Sequence, residues 1–299
     1  MKIISTTVLF LVTLGGFSQE NIDSHYKIYD TRTQQLISID KIVTDMANAD
    51  VLFFGEEHND SIGHYLESEI FKALHKQFGE RIVLSLEMFE ADNQLVLNEY
   101  LAGLMDENRF SKDVRLWNNY KDYRPMIEFA KQNKIPVIAA NPPRRYVSMV
   151  TRRGMRSLDS LSKDAKKFLP PLPYDTLSGR YREKFMDIMK GSPGSGSANI
   201  YYSQSLWDAG MAYNIHKYLK KNKDKKVFHC VGKFHSDEKL GTAAQLQNRN
   251  KKLKILNISC FSAAIFNETN ADPMAIGWNK FSHLGDYVIL TNPEIKKTF

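Results

Sequence analysis

Cysteine is nearly absent from the chain. Cys230 and Cys260 are the only two in 299 residues, which excludes a disulfide scaffold and any cysteine-rich zinc or iron–sulfur centre. Both sit in apolar, strand-like runs, so buried free thiols are expected. No apolar run reaches the ~20 residues that span a bilayer. There is no Walker P-loop, no G-x-G-x-x-G after a strand, no H-E-x-x-H and no G-x-S-x-G elbow. Nucleotide-dependent, thermolysin-like and serine-hydrolase chemistries therefore lose their usual support.

What is present is an ordinary globular composition, 42% hydrophobic and 25% charged. The net charge of +7 is concentrated. Residues 144–190 hold twelve lysines and arginines against five acidic residues, an excess equal to that of the whole chain. This pattern predicts a local anionic ligand and no nucleic-acid partner. Residues 1–18 combine one lysine, an apolar stretch from Ile3 to Leu14, and Gly15, Gly16 and Ser18. A short basic start, a brief apolar centre and small residues near the end predict an export signal cut after Ser18. The mature domain is then 19–299, exported to the periplasm or cell envelope. No lipobox cysteine lies near that cut, so no lipid anchor is expected.

Apolar runs at 51–54, 82–86, 136–140, 227–231 and 255–261 lack polar alternation, as expected of parallel strands covered on both faces. Segments at 62–78, 93–104, 124–132, 202–220 and 237–248 show helical spacing between them. The strand–helix order predicts an α/β fold, a central mostly parallel sheet flanked by helices. A closing edge strand is expected at 286–291. The stretch at about 144–198 interrupts the rhythm with the basic excess, a Pro-Pro-Leu-Pro break at 170–173 and a Gly/Ser-rich run at 191–197. It reads as a basic helical insertion with a hinge before Ile200.

Each strand is followed by chemically versatile residues: Gly55-Glu56-Glu57-His58, Glu87-Met88-Phe89, Asn141-Pro142-Pro143-Arg144 and Gly232-Lys233-Phe234-His235. Parallel strands would bring these four groups to one sheet edge, where open α/β folds bind ligands. The glycines are expected to let the chain turn sharply and aim the histidines into the cleft. Two readings stand open. Glu56, His58, Glu87 and His235 can ligate a divalent metal with room for a water, in which case Glu56 or Glu87 is the catalytic base of a hydrolase. They can instead anchor an organic ligand bearing carboxylates, with Arg144 making bidentate contacts. His64, one turn into the first helix, faces either the cleft or solvent. His75 is expected on the surface and His229 in the core. Gln204, Asp208 and Met211, at i, i+4 and i+7 of one helix, set polar groups on an inward face.

Six ordered motifs carry a family resemblance: GEEHNDSIGH (55–64), LEMFEADNQ (86–94), YRPMIEFA (123–130), IPVIAANPPR (135–144), YYSQSLWDAGMA (201–212) and VGKFHSDEKLG (231–241). Over residues 51–261 the chain resembles the ChaN-like haem-binding family, related to the Tiki and TraB metalloprotease superfamily. The resemblance implies an α/β core with a helical subdomain and a role in haem or iron uptake at the cell envelope. It also implies an envelope haem or iron receptor or transporter as a partner. The protease branch places a divalent metal on residues matching Gly55, Glu56, His58, Gly232 and His235. Haem suits the basic insertion, because its propionates are anionic, its faces apolar, and its iron accepts His or Tyr. Tyr201, Tyr202, Tyr181 and His64 are then candidate axial ligands. Arg144, Arg145 or Arg180 would meet propionates, and Gln204 and Asp208 complete the cofactor-binding set. The haem lies either within one chain or between the copies of a homodimer.

Overall fold

The computed structural model describes residues 22–191, 198–268 and 273–299. The expected export signal and most of the Gly/Ser-rich run lie outside the described residues.

Eight strands form one sheet: β1 (Tyr26–Asp30), β2 (Gln35–Ile37), β3 (Val51–Glu56), β4 (Ile82–Glu90), β5 (Val137–Asn141), β6 (Lys226–Gly232), β7 (Ile255–Ser262) and β8 (Tyr287–Thr291), in the order β2-β1-β8-β7-β3-β6-β4-β5. The six from β8 to β5 run parallel, and β1 pairs antiparallel with both β8 and, in a hairpin, β2. The strand at 287–291 is therefore not an edge: β1 covers its free side. The hairpin escapes a sequence reading because β2 is three residues long and mostly exposed, too short for a period-two pattern to register.

Alternation along β3 explains why the parallel strands read as unbroken apolar runs. Leu52 and Phe54 pack into a core with Leu66, Ile70, Ile127 and Phe228, under helices α2 (Ser61–Phe78) and α5 (Tyr120–Gln132). Val51 and Phe53 point the other way, against Met211, Ile215 and Leu246 of α8 (Ala198–Lys221) and α9 (Gly241–Arg249). Both faces are covered, so both need apolar side chains. The remaining helices of seven residues or more are α1 (Ile39–Asp45), α3 (Gln94–Leu101), α4 (Glu107–Asp113), α6 (Arg144–Arg153) and α7 (Arg180–Met189).

The basic segment is helical, as expected. Its α6 packs Tyr146, Val147 and Val150 with Leu158 and Leu169 against Leu206 and Ala209 of α8, a satellite core beside the main one. Some of its charges are committed to protein partners. Arg145 pairs with Asp92, and Arg180 lies 3.0 Å from Glu238.

Asp45 ties the hairpin to the parallel sheet. Its carboxylate meets Arg32 at 2.6 Å, Lys41 at 2.6 Å and the Tyr287 hydroxyl at 2.5 Å. Burial opposes ionisation there, but these three donors prevail and hold the acid down to about 2. Its stabilisation is thus present above the unfolded carboxylate value near 4 and is lost as pH falls through about 2. Asp45→Asn is expected to cost about 1–2 kcal/mol near neutral pH, reduced by the solvent exposure of Arg32 and Lys41. The gap from wild type in urea melts should close between pH 4 and 2. A gap that stays constant over that range would show the network to be energetically idle.

Candidate functional site

Two carboxylate–histidine pairs meet at the carboxyl end of the sheet. The first grows from β3. Glu56 is its last residue and is buried, and its Oε1 lies 2.5 Å from His58 Nδ1 while accepting a 2.6 Å bond from the Tyr123 hydroxyl. Burial opposes its charge, yet the bond to His58 and the His64 ring 3.3 Å from Oε2 hold it well below the usual carboxylate range. Burial likewise disfavours the His58 imidazolium, and Glu56 with the charge of Glu87 outweighs that, raising its pKa. The His58 side chain keeps 39% of its surface exposed, and its ring meets the Trp117 ring at 5.1 Å. With Nδ1 committed to Glu56, Nε2 makes no hydrogen bond among the described residues.

The second pair grows from β6. His235, three residues beyond Gly232, places Nδ1 2.7 Å from Asp208 Oδ1. Asp208, fully buried in α8, also accepts from the Tyr181 hydroxyl at 2.5 Å and from Thr242 Oγ1 at 2.9 Å. Burial pulls the His235 pKa down, but Asp208 and Glu87 overcome it and raise it to about 9. Glu87 of β4 stands between the pairs. Its Oε2 accepts the Gly232 N–H at 2.8 Å, and its Oε1 lies 3.8 Å from His235 Nε2. Gln204 closes this side, with its amide nitrogen 3.2 Å from His235 Nδ1.

The motif glycines serve close packing instead of a sharp turn. A Cβ at Gly232 would lie 3.0 Å from His58 Nε2, and one at Gly55 would strike Ser236 Oγ at 2.5 Å. Neither has a positive φ. Only the later Gly241 does: at φ +52° its missing Cβ leaves room for the His235 carbonyl, 2.6 Å away.

His64 turns inward. Its Nδ1 lies 3.1 Å from Glu67 Oε2 and 3.3 Å from Glu56 Oε2, and its Nε2 is 3.0 Å from the His58 carbonyl oxygen. Both ring nitrogens are engaged below the cleft floor, so it offers none to a ligand in the cleft. Burial alone would lower its pKa, but the two carboxylates raise it to about 11. Burial and the charge of Glu56 push Glu67 well above the ordinary value.

The cleft itself has a volume of about 680 Å³. Glu56, His58, Gln204, Gly232 and His235 form its floor, Phe185, Ile188, Met189, Phe234 and Phe299 its apolar walls, and Lys233 and Lys297 its cations. Several expected residues sit elsewhere. Arg144 lines a neighbouring cleft with Trp117 and Arg115. Tyr201 donates its hydroxyl to the Leu177 carbonyl, and with Tyr202 it lines a separate hollow of about 210 Å³, below the usual size of a ligand pocket. Tyr181 is spent on Asp208. The insertion thus brings apolar side chains to the cleft; of its arginines, Arg145 and Arg180 are held by Asp92 and Glu238, and Arg144 lines the neighbouring cleft. His75, expected on the surface, is half-buried against Phe129, while His229 is a core residue bonded to Ser85.

Sequence reasoning passed over Glu67, Tyr123 and the α7 wall. Glu67 left a signal: it falls four residues after Gly63 and three before Ile70, a charge on the buried stripe of α2. Tyr123 and Ile188 left none, since an aromatic or aliphatic residue on an amphipathic helix is ordinary core material.

The sequence profile described as haem-binding uptake, Tiki superfamily, ChaN matches residues 42–246, more than two thirds of the chain. The chain belongs to this family. Among solved structures, the ChaN of Campylobacter jejuni, described as binding haem cofacially, superposes with a TM-score of 0.68 at 19% identity, covering 90% of this chain and 97% of that one. This shared fold places the carboxyl edge of the sheet in the same architecture. An erythromycin esterase variant, EreC, in its open conformation gives a TM-score of 0.46 at 12% identity over 79% of this chain and 77% of its own, too low to bear on function. The chloroplastic protein RETICULATA-RELATED 5 of Arabidopsis thaliana is 28% identical over 144 residues, 45% of this chain. The match spans only 19% of that longer protein.

Proposed function

We propose that this ChaN-family chain binds haem in the cleft between α7 and the strand tips, and that it serves haem or iron uptake at the cell envelope after export. One observation carries the reading. A solvent-facing apolar wall stands opposite an imidazole whose other nitrogen a buried carboxylate has fixed. Ile188 is 62% exposed and Phe299 73% exposed, an arrangement that costs free energy unless a flat apolar partner covers it. The residues present suit haem: apolar side chains for its faces, Lys233 and Lys297 for its propionates, and His58 Nε2 for its iron. Glu56 orients His58 as a carboxylate commonly orients a metal-ligating histidine. When bound, the haem iron supplies the coordination position and the redox chemistry; the chain supplies shape, charge and the oriented imidazole.

The test is a haem titration followed by absorption. The wild-type chain should give a saturable Soret shift at micromolar protein, and His58→Ala should weaken binding by about tenfold or more. Unchanged affinity in His58→Ala, with loss in Tyr201→Phe or Tyr202→Phe, would transfer the ligand to the flanking tyrosines and reject this assignment.

A metal-dependent hydrolase is the second reading, favoured by the placement of Glu87 between two histidines that carboxylates orient. His58, Glu87 and His235 would hold the divalent ion, which supplies the Lewis acid. Glu56, bonded through Oε1 to His58 and Tyr123, then supports His58, and Glu87 would serve as a ligand through Oε1 while Gly232 N–H holds its Oε2. Stoichiometric metal lost in both His58→Ala and His235→Ala, without a Soret shift in the wild type, would favour this reading.

A further inference from the structure

Below the cleft floor lies a second constellation, which shares Glu56 with the cleft and adds two residues that haem binding does not use. Glu56, His64 and Glu67 are all buried, and one ligand atom from each falls within 4.8 Å of the others. Their hydrogen bonding is incomplete. Glu56 Oε1 is satisfied by His58 and Tyr123, but among the described residues Glu56 Oε2 and Glu67 Oε1 are fully enclosed and form no hydrogen bond. Such atoms are costly to bury unless something positive sits among them.

The histidine between them is already oriented. His64 Nε2 lies 3.0 Å from the His58 carbonyl oxygen, which accepts its proton; a neutral ring then aims its Nδ1 lone pair at the two carboxylates, whereas an imidazolium would donate Nδ1–H to Glu67 Oε2 at 3.1 Å. A lone pair facing carboxylate oxygens is repulsive without a cation between them. The spacing suits one. An ion bonded to nitrogen and oxygen at about 2.0–2.2 Å in tetrahedral geometry holds its ligands about 3.3–3.6 Å apart. Nδ1 stands 3.3 Å from Glu56 Oε2, within that range, and 3.1 Å from Glu67 Oε2, about 0.2 Å short of it.

We propose that Glu56, His64 and Glu67 form a buried structural site for a divalent transition cation of the zinc type, beneath the haem cleft and joined to it through Glu56, loaded as the chain folds. The chemistry agrees: one imidazole and two carboxylates balance a doubly charged ion, and a backbone carbonyl fixes the tautomer from behind. The ion would also anchor Glu56, and through it His58. The inference does not rest on haem binding. The competing occupant is a proton, which would make His64 an imidazolium.

Metal analysis of the purified chain, repeated after refolding with zinc chloride and dialysis, decides between them. The expected result is about one equivalent of zinc in wild type and in His235→Ala, and its loss in Glu67→Gln and in His64→Asn. Metal lost in His235→Ala but kept in Glu67→Gln would assign the ion to the strand tips and overturn the proposal. No bound metal in any variant would overturn it as well. Should the inner variants not fold, nitrogen-15 spectra of the histidine-labelled, zinc-refolded wild type carry the test. A metallated Nδ1 beside a protonated Nε2 at His64 supports the site, whereas a doubly protonated ring rejects it.

Discussion

Asp208→Ala is expected to cost about 3–5 kcal/mol of folding stability, the range for removing one member of a buried ion pair. Asp208 is fully buried and serves three donors at once: His235, Tyr181 and Thr242. Deleting it strands an imidazole, a phenol and a hydroxyl in a space without water. The gentler Asp208→Asn separates charge from shape through pH. Folding raises His235 to about 9, above the unfolded value near 6.5. The ion pair therefore contributes fully below pH 6.5, and its contribution is lost as pH rises through about 9. In urea melts of haem-free protein, the deficit of Asp208→Asn should be largest near pH 6 and should shrink toward pH 10. A residual of about 1 kcal/mol is expected to remain for the hydrogen bonds to Tyr181 and Thr242, which do not titrate there. A deficit that is flat from pH 6 to 10 would mean that no ion pair forms between Asp208 and His235.

The sequence made this pair partly legible. Asp208 stood out as a charge four residues from Gln204 on an inward helix face, and His235 as the end of a strand-tip motif. What joined them was three-dimensional: α8 packs beside β6 so that residues 27 positions apart exchange a proton-bearing bond. The parallel strands were readable for the same reason that the hairpin was not. Two covered faces force a continuous apolar run, whereas β2 has three residues and little to bury. The tyrosines illustrate the opposite error. Tyr201 and Tyr202 lie in a motif rich in ligating side chains, but helical phase turns their hydroxyls toward the α6–α7 side, where Leu177 takes one. The basic excess is legible only as a tally, which does not record that Asp92 and Glu238 hold Arg145 and Arg180.

Glu56 is the residue on which the cleft and the buried cluster both depend. Glu56→Ala would leave His58 Nδ1 and the Tyr123 hydroxyl without their shared acceptor, at a cost of about 3–5 kcal/mol. Haem affinity should fall by about ten- to a hundredfold, the usual penalty for losing the partner that orients a metal-ligating histidine. If Glu56 acts on haem only through His58, the losses cannot add. The double variant Glu56→Ala/His58→Ala should then bind haem no more weakly than His58→Ala alone, and their coupling should nearly equal the single Glu56 effect. Additive losses would instead mean that Glu56 meets the ligand directly, or that the buried cluster beneath shapes the cleft by a route that bypasses His58. Tyr123→Phe separates these alternatives. It removes one donor to Glu56 while leaving His58 bonded, so it should spare haem affinity if orientation of His58 is the whole effect, and lower it if the state of the Glu56–His64–Glu67 cluster governs the cleft.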